Sequence, residues 1–546
     1  MSEGSGDRYD AIVIGSGFGG AFAAHVLVGH GLRVLMLERG DWVDRGRHNW
    51  SPRGVIDLTP QYSKEAAYVV RGEHKGEIAS VYAVGGPSLF YGGVSLRLRE
   101  RDFEHDPELA GEAGGRWPFD YSTLEPYYEA AERLLGVAGD DAAGGPTGDD
   151  PVFTDPTTPP RRGQYPYSPS PLSATSRRIA AAAASLGLEP FRLPLAINYR
   201  ARGGRAACAA CTTCDAYICA IGAKNDLAVA MLPRLIAHGM RLRPNAVVTK
   251  LHRRSDRIEA VEWVDRRTGR RATDRADLVV LAAGALGSPH LLLASGLADA
   301  NPAGHAVGRF LMRHCNGMVY ALFREPPNPA HEFHKQIGLH DFYFGTAARR
   351  APRGKLGSIQ QIHTPPVGLA REMLPALLHR PLPWLLEHVT GLLAIAEDQP
   401  REANRVEPDA AATDAFGMPR LRITHRYTGR DRAARRALLA HAKRVLRAGG
   451  ARLFYRHHIP TFSHALGTVR MGEDARRDPL DAASRYRGVA NLLIVDGSVF
   501  PASGAVNPSL TIAANALRAA DLWTGGGLLA GAARMEPAGA PERGPQ

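Results

Sequence analysis

The apolar positions near the start of the chain fall into short runs divided by glycines. Residues 11–14 (AIVI) are wholly apolar, residues 21–28 have helical composition, and residues 33–37 are mostly apolar again. A short apolar run bounded by turn formers reads as a strand buried on both faces. The pattern therefore predicts strand, helix, strand. Between the first two, Gly15, Gly17 and Gly20 form G-x-G-x-x-G with Phe18 and Gly19 inside it, and Glu38 and Arg39 close the second strand. Two later stretches repeat the rhythm. Residues 278–281 run through the small turn Ala283-Gly284 into an apolar helix, and residues 492–495 run through Asp496-Gly497 to a helix from Thr511 onward. Another helix is predicted within 429–450, where Leu438, Leu439, Ala442, Val445 and Leu446 make one stripe and Gly449 suits the C-cap. Residues 383–397 (PWLLEHVTGLLAIAE) set Leu385, Leu386, Val389, Leu392 and Leu393 on one helical face, which predicts a core-packing helix.

At roughly 150 residues per domain, 546 residues suggest two to four domains. Residues 138–170, rich in Pro, Gly, Asp and Thr, read as a surface excursion or lid, and 525–546 as a flexible Gly/Ala/Pro tail. No apolar run is long enough for a membrane span, and the N-terminus lacks the basic-then-apolar pattern of a secretory signal. The expected compartment is the cytoplasm. The formal net charge is +12, and only seven of the 67 basic residues are lysine. Together with frequent Ala, Gly and Pro, this arginine excess reads as a coding bias rather than a nucleic-acid surface. In the most basic stretch, 429–450, Arg432, Arg435, Arg436 and Lys443 lie largely off the apolar stripe, as on a solvated helix face. No nucleic-acid partner is expected.

The glycine turn carries the first chemistry. Glycines allow a tight turn and close approach of backbone to a pyrophosphate at the helix N-terminus. An acid at the end of the second strand, here Glu38, accepts bonds from ribose hydroxyls. This fingerprint alone does not separate NAD from FAD. The strands at 278–281 and 492–495 lie far along the chain, so the cofactor domain is built from separated pieces, and that favours FAD.

Five motifs stand in one order: GSGFGG with Glu38, VGGPSLFYGGVSLR, GALGSPHLLLASG, SHALGTVRMG and DGSVFPASGAVNPSLTI. In this order they resemble the glucose–methanol–choline (GMC) flavin oxidoreductases over nearly the whole chain. Around Gly86 to Arg99 the style is that of bacterial members such as the aminoglycoside primary-alcohol oxidases. The resemblance implies an α/β fold, α+β overall. A discontinuous Rossmann-like FAD-binding domain would comprise 8–105, 190–310 and 456–524. A substrate-binding cap with an antiparallel sheet would comprise 106–189 and 311–455. It implies oxidation of an alcohol to a carbonyl by hydride transfer to flavin N5. His464 would be the general base and Asn507 would hold the substrate oxygen. Gly85, Gly86, Ser88, Gly92 and Gly93 would wrap the pyrophosphate and flavin edge, and Val247 or Val248 would meet the adenine. Ala283, Gly284, Asp496, Gly497, Pro508 and Thr511 complete the expected cofactor contacts.

The chain departs from the family where some members tether FAD through a histidine. It reads Leu89-Phe90-Tyr91 there, which implies noncovalent FAD. Tyr91 also replaces a frequent asparagine. The substrate would be a sugar, an amino sugar or a natural-product alcohol, and the electron acceptor dioxygen or a carrier. A non-redox lyase on the same fold is the alternative from another class.

Cys208, Cys211, Cys214 and Cys219 are spaced C-x2-C-x2-C-x4-C. Thiolates this close can hold an iron–sulfur cluster or zinc, and some flavin dehydrogenases of the family carry a cluster before a similar IGA turn. The competing expectation is a set of small buried thiols. Cys315 is read as a core thiol, and His457 and His458 as structural or solvent contacts.

Overall fold

The computed structural model describes residues 8–50, 62–73, 76–111, 114–140, 153–347, 351–365, 367–373, 375–459 and 461–529. In chain order, β1 (Arg8–Ile14), α1 (Phe18–Gly29) and β2 (Val34–Leu37) precede β3 (Tyr62–Gly72), β4 (Gly76–Val81), α2 (Pro107–Ala110), α3 (Tyr121–Leu135), α4 (Ala174–Ala184) and β5 (Phe191–Arg192). Next come α5 (Leu227–Ala230), α6 (Leu232–Ala237), β6 (Arg241–Arg243), β7 (Ala246–Arg254), β8 (Arg257–Asp265), β9 (Arg271–Leu281) and α7 (Gly284–Ala294). Then follow β10 (Gly317–Leu322), β11 (Ile337–Leu339), β12 (Gly357–Ile362), α8 (Val367–Met373), α9 (Leu382–Glu387) and β13 (Val389–Ala396). The last group is β14 (Arg405–Thr413), β15 (Pro419–His425), α10 (Gly429–Ala448), β16 (Leu453–His458), β17 (Leu492–Ile494) and α11 (Ser509–Trp523).

The three apolar runs that open strand–turn–helix units become neighbours. β1 lies parallel between β2 and β9, and β17 joins the other side of β9 through Leu492–Val279 and Ile494–Leu281. The whole sheet has seven strands in the order β6-β2-β1-β9-β8-β7, with β17 on β9. A parallel sheet needs both faces covered, which is why these runs are apolar at every position. α1 supplies part of the cover. Its residues from Gly19 to Val28 are all buried, and it packs on α11.

A six-stranded sheet, β16-β10-β13-β12-β11-β5, forms the cap. Its pleat divides its residues cleanly. Val319, Ala321, Ile359, Leu392, Ala394 and Ala396 pack with Leu438, Leu439, Ala442 and Val445 of α10. The opposite face turns toward the dinucleotide part, because Ser358 Oγ donates to the Ala505 carbonyl and Gln360 Nε2 to Asn507 Oδ1. A third sheet, β14-β15-β3-β4, joins residues 62–81 to residues 405–425.

The helix expected over 383–397 does not form as one element. It divides into the short α9 and the strand β13. β13 is buried on both faces, so its apolar run satisfies a helical stripe and a central strand alike. Leu392 and Leu393, expected on one face, lie on opposite sides of the sheet. α10 forms as expected and is capped by Thr428, whose side chain accepts from the Asp431 N–H. Gly449 caps its end at φ −72°, while the left-handed turn falls on Gly450. Arg435, read as solvated, is buried beside the Tyr427 ring.

Of the 138–170 excursion, 141–152 lie outside the described residues. The remainder is pinned down: Arg161 bonds Glu132, and Asp155 pairs with Arg99 and His340. Of the expected tail, 530–546 lie outside the described residues, while Leu528 N–H donates to Asp521 Oδ1 at the end of α11.

Candidate active site

The glycine turn after β1 is shaped by backbone. Gly15 takes φ +102°, and a Cβ on Gly20 would stand 1.9 Å from the Gly15 carbonyl oxygen. Gly17 faces open space, and no side chain caps the start of α1. The second motif closes over this turn. A Cβ on Gly86 would lie 3.3 Å from Gly17 Cα, and the Gly85 N–H donates to Ser16 Oγ. Glu38 reaches back from β2, accepting from Ser16 N and Oγ on Oε2 and from the Gly40 N–H on Oε1. Burial raises its carboxyl above the ordinary value. Two facing glycine turns, an uncapped helix start and a buried carboxylate at the strand end fit a dinucleotide pyrophosphate and ribose.

Other expected cofactor residues are placed with more varied neighbours. Arg39 lies over the Tyr82 and Phe416 rings, near Asp414. Val247 is buried against Val264 and Phe416, and Val248 packs on the main core. Asp496 stitches the third and fifth motifs together, accepting from Gly284 N, Ser288 Oγ and Ser498 N; Ala283 N–H also donates to Ser288 Oγ. Gly497 packs so closely on Ala465 and Leu466 that a Cβ would be crowded there. Pro508 begins α11 without a side-chain cap, and the Thr511 hydroxyl bonds Tyr128. Ser88 Oγ donates to the Gly85 carbonyl and accepts from Leu227 N. Tyr91 stacks edge-on to Phe18 and donates to the Asn225 carbonyl. Gly93 rests on Ala196 and Ile197, while Gly92 abuts Asp215 and Lys335.

The cysteine block does not gather into a four-thiolate site. Among the described residues, no three His, Cys, Asp or Glu side chains are grouped to hold a metal ion. Local turns engage the thiols separately. Cys208 Sγ accepts from Ala210 N, Cys219 Sγ from Lys224 N, and Cys211 Sγ lies 3.3 Å from Thr213 Oγ1. Burial raises the Cys208 thiol to about 11 and Cys214 still higher. The cluster or zinc expected from the spacing is not supported by this arrangement, in which the four cysteines are free thiols. The block is instead fastened by Lys224, whose Nζ donates to the carbonyls of Leu89, Cys214 and Tyr217. Cys315 is a buried thiol, as expected.

His464 is joined to a residue that the motif reading missed. Its Nδ1 lies 2.9 Å from Nδ1 of His314, whose Nε2 lies 3.1 Å from the Ser503 carbonyl. A carbonyl only accepts, so His314 Nε2 carries the proton. Burial lowers the His314 pKa and keeps the ring neutral, leaving Nδ1 as an acceptor. His464 must then donate from Nδ1, and its Nε2 is an unprotonated lone pair. Burial, with His314 and Lys335 nearby, pushes the His464 pKa down to about 3. The dyad is anchored by Asp398, which accepts from the backbone N–H groups of Arg313 and His314 and from Ser503 Oγ. His314 itself sits at φ +55°, a strained backbone for a non-glycine residue and a frequent mark of functional sites.

Asn507 is oriented from the cap. Gln360 Nε2 donates to its Oδ1 at 2.8 Å, which leaves the Asn507 amide N–H groups to donate elsewhere. Both His464, through His314, and Asn507 are tied to the segment 503–507. Asp215 and Lys335 form a second pair against Gly92, with both carboxylate oxygens within 2.8 Å of Lys335 Nζ. His314, Gln360, Asp215 and Lys335 all lay outside the sequence expectations. The His-Cys-Asn-Gly run held the first of them, but no local spacing links it to His464.

Residues 9–316 and 400–516 match the N- and C-terminal family profiles described as GMC oxidoreductase. The chain is 35% identical to 6'''-hydroxyparomomycin C oxidase of Streptomyces lividus, covering 95% of this chain and 92% of that one. It is 32% identical to paromamine 6'-oxidase of Streptomyces fradiae, over 95% and 91%. It is 28% identical to 2-methyl-1,2-propanediol dehydrogenase of Mycolicibacterium austroafricanum, over 95% of both. Its fold is similar to the crystal structure of pyridoxine 4-oxidase from Mesorbium loti, at TM-score 0.64 and 20% identity, covering 94% of this chain and 99% of that one. No helix among the described residues is long and apolar enough to cross a membrane. With both profiles matched and relatives above 30% identity across nearly its whole length, the chain belongs to the GMC oxidoreductase family.

Proposed function

We propose that this FAD-dependent alcohol oxidoreductase oxidises the carbinol carbon of a small-molecule alcohol with His464 as its base and Asn507 as its oxygen holder. The observation that carries the assignment is the hydrogen-bond chain from the Ser503 carbonyl through His314 to His464. It fixes the tautomer of His464 and leaves Nε2 ready to take the hydroxyl proton. The lowered pKa keeps that ring neutral at pH 7. The free amide N–H of Asn507 suits a developing negative charge on the substrate oxygen. When bound, FAD supplies the hydride acceptor.

The facing turns at Gly15, Gly17, Gly19, Gly20, Gly85 and Gly86 would hold the pyrophosphate, and Glu38 the ribose. Gly92, Gly93, Tyr91 and the start of α11 would border the flavin. Leu89, Phe90 and Tyr91 offer no histidine for a covalent tether, so FAD is held noncovalently in this reading. Dioxygen is proposed as the acceptor, supported by the two relatives named as oxidases.

Anaerobic mixing of the holoenzyme with a panel of primary alcohols tests the reading. At least one should bleach the flavin stoichiometrically; bleaching by none overturns it. Admitting air should then restore the colour and yield hydrogen peroxide. Recovery only with an added electron carrier would overturn the choice of dioxygen.

A further inference from the structure

We infer that the substrate is an alcohol with an apolar body, its hydrocarbon or aromatic remainder lying along the inner face of the cap sheet. This rests on the alcohol-oxidation reading above and adds the substrate class to it.

The argument begins at Gln360. Because it meets Asn507, its side of β12 is the side that faces the reacting hydroxyl. A pleat puts alternate residues on one face, so Ile362 shares that side. Register extends it across the sheet. Leu393 stands opposite Gln360 and Ile395 opposite Ser358, then Met318 opposite Leu393 and Tyr320 opposite Gly391. Ile362, Leu393 and Ile395 form their own apolar cluster with Met318, Tyr320 and Ile459, separate from the core beneath α10. The Tyr320 hydroxyl is spent on Met318 Sδ at 3.2 Å. The lane continues outward to the edge strand β16, where Tyr455 stands opposite Tyr320. There Tyr455 is 52% exposed and Leu453 65%.

Charge points the same way. A polyamine needs carboxylates free to meet its ammonium groups, since an unpaired buried charge is costly. The Asp215 carboxylate is held on both oxygens by Lys335, and Asp398 by two backbone N–H groups and Ser503. Lys335 also lies close enough for its charge to depress the His464 pKa. A substrate ammonium here would meet a cation and two satisfied acids. A hydrocarbon would meet Ile362, Leu393 and Met318, with the neutral His457 ring opposite Met318 at the edge.

Rates of anaerobic flavin reduction should be compared for straight-chain primary alcohols from ethanol upward and for paromamine. The second-order rate constant should rise about 4-fold per added methylene over the first few carbons, and paromamine should react more slowly than hexanol. Met318→Gln should flatten that dependence, with flavin content and thermal midpoint confirming a folded holoenzyme; Leu393→Asn should do the same. Rates independent of chain length, or paromamine outpacing every apolar alcohol, would overturn the inference while leaving alcohol oxidation intact. Bleaching by none of these compounds would overturn both.

Discussion

The glycine cradle and the side-chain cluster around His464 and Asn507 would hold their ligands by opposite means. The cradle is backbone: Gly15, Gly17, Gly20, Gly85 and Gly86 bring main chain to main chain, and the helix starts behind them carry no capping side chain. The cluster is side chain, with His464, His314, Gln360, Asp215 and Lys335 arriving from distant segments and each fixing another. A backbone site needs small residues in a fixed local order. A side-chain site needs only that the right groups meet. In the proposed reading, the first would govern whether flavin is held, and the second what is done with it.

That division can be broken most directly at His464. His464→Ala should lower the anaerobic flavin-reduction rate by about 10³-fold with flavin content unchanged; loss of flavin together with rate would erase the contrast. His314→Phe keeps bulk but removes the acceptor that fixes the His464 tautomer. Reduction should slow on the order of 10- to 100-fold. In the parent enzyme the base must be neutral, so the rate should stay level well below pH 6.5 and fall only as the pH approaches about 3. Gly20→Ala should act in the reverse sense, weakening FAD retention about 10-fold, measured by flavin released on gel filtration. Gln360→Ala frees the Asn507 amide to rotate and should slow reduction about 5-fold.

The smallest effect should be on stability. His25 and His363 are held by burial near 4 and 3, against about 6.5 in an unfolded chain. Below pH 6.5 the unfolded chain takes up these protons and the fold does not, so stability present above that pH is lost as it falls. The thermal midpoint should drop on the order of 5 °C between pH 7 and pH 5.

The parts legible in the sequence share one property: each is encoded by neighbours along the chain. β1, the glycine turn, α1, β2 and Glu38 were readable because turn, helix start and acid fall within one unit, and α10 because its stripe and cap are local. The five ordered motifs added His464 and Asn507 as candidates. Two readings failed where a local pattern had two physical solutions. The 383–397 run suited a helix stripe and a doubly buried strand equally, and only pairing with β10 and β12 made it β13. The cysteine spacing suited a metal site, but separate turns and the buried Lys224 left the thiols apart. By itself, the sequence determined the glycine cradle and named His464 and Asn507 as the candidate pair. Only the tertiary structure brought His314 to His464 across 150 residues and Gln360 to Asn507 across 147, because no local spacing encodes which distant side chains share one hydrogen bond.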